Sequence, residues 1–167
     1  MKFVLALALL FPLAAFSQDC QLRKEIDQFS QKPKLTTGFI KLGGGQVSLS
    51  IDATATDIDF LFTFNNKENP RCFDDLSTAS FSFDSTRSKG NFRNSGAMNC
   101  EGIFHMNFRN SATVPSGLNR LATTKTASIK FTGTGKNVID ITLTPQEKEL
   151  LMKWVSCIAA EAKTLIK

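Results

Sequence analysis

Three stretches of this chain alternate side chains with a period of two. Val47, Leu49, Ile51 and Ala53 alternate with Ser48, Ser50 and Asp52. Ile58, Phe60, Phe62 and Phe64 alternate with Asp57, Asp59, Leu61 and Thr63, and Ala79, Phe81 and Phe83 with Ser80, Ser82 and Asp84. That period sends one set into a core and the other toward water, and only a β-strand does so. Further strands are expected over residues 36–42, 89–94 and 102–109. In the last of these, Phe104, Met106 and Phe108 share one face and Ile103, His105 and Asn107 the other. Ala127/Ile129/Phe131 and Ile139/Ile141/Leu143, joined through Gly133-Thr134-Gly135, read as a hairpin, and Gly43-Gly44-Gly45 as the break that starts another. Asn65-Asn66-Lys67-Glu68-Asn69-Pro70 and Pro115-Ser116-Gly117 read as loops. Residues 20–30 are ambiguous: Leu22, Ile26 and Phe29 have helical spacing, but Leu22, Lys24 and Ile26 also alternate. A strand is favoured there, because Gln31-Lys32-Pro33 looks like a turn into the next strand.

The chain ends in a helix. Thr144-Pro145-Gln146-Glu147 is a capping box with proline at the first helical position. Leu151, Trp154, Val155, Ile158, Ala162 and Leu165 then form one stripe, with Lys148, Lys153, Glu161 and Lys163 off it. The stripe needs a partner, and the sheet's Phe-rich face is the available one. The expected fold is α+β: a mainly antiparallel β-sheet of about eight strands, a sandwich or partly open barrel, packed against one C-terminal helix at 145–165. The connections are too short for parallel crossovers.

The first residues set the compartment. Met1-Lys2 is a minimal basic region, Phe3 to Phe16 is apolar apart from the break at Pro12, and Ala15-Phe16-Ser17 offers small residues to a signal peptidase. This predicts a secretory signal at 1–17, cleaved between Ser17 and Gln18, and one secreted or periplasmic domain at 18–167. The apolar run falls short of the roughly 20 residues of a membrane-spanning helix, and no later segment approaches it. Cys20 follows Gln18-Asp19, not the small residue that precedes a lipid-acceptor cysteine. Four cysteines in an exported chain read as two disulfides with three possible pairings. Cys72–Cys100 and Cys20–Cys157 are the expected ones: the first ties two neighbouring β segments, the second pins the N-terminus to the last helix.

The inventory for catalysis is thin. His105 is the only histidine, lies in a strand and has no G-x-S-x-G nearby. Asp57 and Asp59 project from one strand face and Asp74-Asp75 follow Cys72, but residues alternating on a strand stand side by side and do not face each other across a groove. Asp52, Asp57 and Asp59 supply oxygens for calcium without an EF-hand loop. No metal site, cofactor or catalytic residue is therefore expected.

Charge is more informative. Residues 51–84 hold seven acids against Lys67 and Arg71, whereas residues 85–136 hold eight bases against Glu101. Either neighbouring strands pair these charges across the sheet, or Arg87, Lys89, Arg93 and Arg109 gather on one surface and bind an anion. The anion would be a glycan, a lipid headgroup or an acidic envelope protein. Nucleic acid is not expected, because export removes it and the chain has one Trp and no Tyr for stacking. Asn91-Phe92-Arg93-Asn94-Ser95 recurs as Asn107-Phe108-Arg109-Asn110-Ser111, which reads as two strand ends running into polar turns.

The leader ending Ala15-Phe16-Ser17-Gln18 resembles the signal peptides of exported proteins in Bacteroidota. Arg71-Cys72-Phe73-Asp74-Asp75, Asn99-Cys100-Glu101-Gly102 and Thr144-Pro145 before the final helix resemble small secreted proteins of uncharacterised function from that group, a likeness that implies no activity and no site residues. A lipocalin also places a helix after a barrel, but its early G-x-W is missing, and Trp154 lies in the helix. The expected function is a non-catalytic binding or interaction module. A carrier of a small apolar ligand in a Phe-lined cavity, and a hydrolase using Asp57, Asp59 or Asp74-Asp75, are the alternatives.

Overall fold

The computed structural model describes residues 20–28, 30–65, 71–84 and 86–166. The expected leader at 1–17, and most of the loop expected before Cys72, lie outside the described residues. The elements run β1 (Arg23–Ile26), β2 (Pro33–Leu42), β3 (Val47–Ala53), β4 (Asp57–Phe64), β5 (Thr78–Phe83), β6 (Thr86–Arg93), β7 (Ile103–Arg109), α1 (Ser116–Thr123), β8 (Thr126–Thr132), β9 (Val138–Thr142) and α2 (Pro145–Glu161), which runs on as a 3-10 turn over Ala162–Leu165. They form a β-sandwich. One sheet has the order β1-β2-β3-β4-β7 and the other β6-β5-β8-β9. Every described strand pairing is antiparallel. The α+β class is thus observed, with nine strands among the described residues.

The period-two pattern translates directly into burial. Val47, Leu49, Ile51 and Ala53 on β3, and Ile58, Phe60, Phe62 and Phe64 on β4, all point into the core. Phe131 of β8 is fully buried and meets Phe62, Phe64 and Phe104 of the other sheet edge-on, with centroids 5.1, 4.9 and 5.3 Å apart. Offset and edge-on rings bring the positive rim of one ring to the negative face of another, so a core of phenylalanines can interlock without polar atoms. Helix α2 packs chiefly against α1, β2, β3 and β8, while these rings take one another as neighbours between the sheets.

Local chemistry sets the ends of α2. Its capping box forms as expected: the Thr144 hydroxyl accepts from Glu147 N–H at 3.2 Å, and the Glu147 carboxylate accepts from Thr144 N–H at 2.8 Å. The same carboxylate accepts from Gly44 N–H at 3.1 Å, which clamps the β2–β3 turn to the start of the helix. Gly43 in that turn has φ of 61°, and a Cβ there would run into the Ile141 side chain, so the position suits glycine on both counts.

Two elements differ from the sequence expectation or resolve it. Pro115-Ser116-Gly117 is not a loop: Pro115 is the N-cap and Ser116 the first residue of α1, whose Leu118 and Leu121 are buried. Eight residues containing a glycine give too little periodic signal, and packing against α2 stabilises the helix. The ambiguous stretch near the N-terminus is strand over Arg23–Ile26, an exposed edge paired with β2.

Both disulfides form, Cys20–Cys157 and Cys72–Cys100. The second lies beside an antiparallel bridge in which Phe73 and Asn99 exchange N–H to carbonyl bonds of 2.8 and 2.9 Å. Among the described residues, no helix is long and apolar enough to cross a membrane.

Candidate binding surface

Strand β6 is an edge of the smaller sheet, and Arg87, Lys89 and Arg93 along it are exposed. Phe92 turns inward, its ring 5.4 Å from both Phe81 and Phe108. Alternation then places Asn91 and Arg93 on the outer face. Register extends that face into two rows: Arg93, Thr78, Thr132 and Val138, and Asn91, Ser80, Lys130 and Asp140. The Ser80 hydroxyl donates to Asn91 Oδ1 at 2.5 Å. Arg87 and Lys89 fall where the ladder slips, since Phe81 pairs with Gly90 but Phe83 with Thr86. The result is a polar face of hydroxyls and an amide, carrying Arg87, Lys89, Arg93 and Lys130, with Asp140 across from Lys130.

Arg109 is placed elsewhere. It is exposed on β7, an edge strand of the larger sheet, and its register partner on β4 is Asp57. Phe104, Met106 and Phe108 of β7 face the core, so Arg109 projects from the outer face of the larger sheet, away from the β6 cations. The structure therefore gathers three of the four expected cations and sets the fourth opposite an acid. Among the described residues, none of the four makes an ion pair.

The five-residue echo has a structural basis. Phe92 and Phe108 meet each other in the core. Asn94 and Asn110, the next asparagine in each copy, are both buried. Asn94 Nδ2 donates to Asp74 O at 3.0 Å while its Oδ1 accepts from His105 N–H at 2.8 Å. Asn110 Nδ2 donates to the carbonyls of Thr54 and Ala162 at 2.8 and 2.7 Å. Both asparagines are committed to the frame.

Three of the four carboxylates expected as catalytic alternatives, Asp57, Asp59 and Asp74, are also held by neighbours. Asp57 accepts from the Thr56 hydroxyl at 2.6 Å. Asp74 shapes a turn by accepting from the Ser77 hydroxyl at 2.7 Å and Leu76 N–H at 3.1 Å, and the Ser77 bond leads in holding its carboxyl below the usual value. Asp75 is exposed in the same turn. Asp59 stands opposite Asp52 in the β3–β4 ladder, a like-charge pair. Lys34 Nζ lies 2.9 Å from Asp52, the Ser50 hydroxyl donates to Asp52 at 3.1 Å, and His105 Nδ1 lies 3.4 Å from Asp59. Lys34, Asp52, Asp59 and His105 thus make a ladder of polar side chains across β2, β3, β4 and β7. Burial pushes the Asp59 carboxyl up despite the opposing pull of His105, and the Asp52 hydrogen bond leads in raising Lys34. In the sequence Asp59 and His105 stand 46 residues apart, and their meeting depends on strand register. Among the described residues, no group of three or more His, Cys, Asp or Glu could hold a metal ion.

No protein-family model, curated protein or solved structure matches this chain.

Proposed function

We propose that the chain is an exported, non-catalytic binding module that recognises an anionic partner through the outer face of its smaller sheet. One observation carries the reading: Arg87, Lys89 and Arg93 lie exposed along a single edge strand, next to the Asn91–Ser80 and Thr78–Thr132 rows. Guanidinium and ammonium groups beside hydroxyls and an amide donate to oxyanions in several directions at once. A sulfated or carboxylated glycan, a lipid headgroup and an acidic envelope protein share that chemistry. The leader at 1–17 and the two disulfides fit an oxidising compartment outside the cytoplasm, in keeping with the resemblance to secreted proteins of Bacteroidota.

The test compares the triple variant Arg87→Ala/Lys89→Ala/Arg93→Ala with Arg109→Ala on three supports: a sulfated glycan matrix, vesicles with anionic headgroups, and polyglutamate. The triple variant is expected to leave at least one support at clearly lower salt than wild type, since exposed charges act through a screened field. Arg109→Ala is expected to elute as wild type does. Unchanged elution of the triple variant on all three supports would remove the assignment.

A further inference from the structure

A cleft of about 470 Å³ opens at the end of the sandwich where the 3-10 turn meets β2 and the β3–β4 connection, lined by Lys32, Pro33, Ala55, Thr164, Leu165 and Ile166. Its volume falls within the roughly 300–1,000 Å³ of small-molecule sites. The walls are set by the fold. Pro33 opens β2, Ala55 turns the chain from β3 to β4, and the 3-10 turn is held in place by the Asn110 bond to Ala162 O and by Thr164 Oγ1 donating to Glu161 O.

The chemistry of the cleft is amphiphilic. Pro33, Ala55, Leu165 and Ile166 give apolar wall. Ile26, the register partner of Pro33, is 59% exposed, and Ile166 is 38% exposed, so two large aliphatic side chains stay in water at this end of the molecule. Lys32 supplies a cation and Thr164 a hydroxyl. An alkyl chain on the wall with a carboxylate at Lys32 would take apolar surface from water and meet the charge together. The Phe core offers less to such a ligand, because Phe60, Phe62, Phe81, Phe104 and Phe131 are essentially fully buried and lie ring against ring.

We infer that this cleft binds a single, free amphiphile with an anionic head, of the medium-chain carboxylate type. The site is separate from the β6 face and does not rest on the proposed function.

The experiment titrates full-length mature protein with decanoate, below its micelle concentration, and follows methyl resonances by NMR. The expected result is saturable binding that shifts Ala55, Leu165 and Ile166, weakened roughly tenfold, about 1.4 kcal/mol, in Ala55→Trp, which fills the cleft. Lys32→Glu should weaken decanoate and strengthen decyltrimethylammonium, while the triple β6 variant should bind decanoate as wild type does. Leu165→Lys, checked for an unchanged fold by circular dichroism, guards against misfolding of the tryptophan variant. The assignment fails if decanoate does not saturate, if the shifts map elsewhere, if none of the three cleft variants weakens binding, if head-group preference ignores residue 32, or if the β6 variant abolishes binding.

Discussion

Asn94 and Asn110 show how much a single buried amide can hold. Asn110 joins the β3–β4 turn to the C-terminal 3-10 turn, because its Nδ2 reaches the carbonyls of Thr54 and Ala162. In Asn110→Ala those carbonyls lose their side-chain donor, and an unfolding loss of about 1–3 kcal/mol is expected from a urea midpoint. Asp59 behaves in the opposite sense. Its carboxyl is raised above the ordinary 3.8 because burial disfavours the charge. The folded state then holds that proton more tightly than the unfolded chain does. Its contribution to stability is therefore fully present below the ordinary value and falls as pH rises through the raised one. Asp59→Asn should flatten this fall, so the variant gains on wild type between pH 3.8 and neutrality in denaturant melts. A gain that shrinks with rising pH would contradict it. In the sequence, the echo marked both asparagines, but nothing there said they were buried, since burial depends on which loops return to cover a strand end.

At the scale of elements, α2 owes its start to residues that are close in sequence and its position to one that is not. Thr144→Ala removes the cap and is expected to lower stability by about 0.5–2 kcal/mol. Glu147 answers to pH. Partial burial pushes its carboxyl up, but hydrogen bonds from Thr144 and from the β2–β3 turn outweigh it and leave the carboxyl below its ordinary 4.5. Its contribution is present above that value and lost as pH falls through the lowered one. In Glu147→Gln, acid unfolding followed by circular dichroism should lose part of its pH dependence below 4.5, and the Gly44 amide should exchange faster with solvent. The cap was legible because its residues are adjacent. The clamp to Gly44 was not, since it joins positions 103 residues apart.

For the whole molecule, Cys20–Cys157 closes a loop over a sequence separation of 137 and ties the segment before β1 to α2. Cys20→Ser/Cys157→Ser is expected to lower stability by about 2–5 kcal/mol, read as a fall in Tm, without unfolding a sandwich whose core is independently filled. Distributed charge belongs to this scale too. The acidic and basic halves of the chain do not simply neutralise each other. Arg109 stands opposite Asp57 in the β4–β7 ladder and Lys130 opposite Asp140 in the β8–β9 ladder, neither within ion-pair distance, while the three cations of β6 are exposed along an edge strand. Opposite charges thus stand in register in both sheets, while the basic edge belongs to the smaller one.

The strands from β2 to β9, the capped helix and the antiparallel pairing follow from the sequence alone, because side-chain period, capping chemistry and connection length are local properties of the chain. The tertiary structure decided what depends on register and packing: that Asp59 meets His105, that Arg109 leaves the other cations, that residues from Ser116 onward form a helix on α2, and that a cleft opens beside Leu165. Each of these joins residues far apart in sequence. A shift of one residue in a ladder would turn the side chains concerned to the other face.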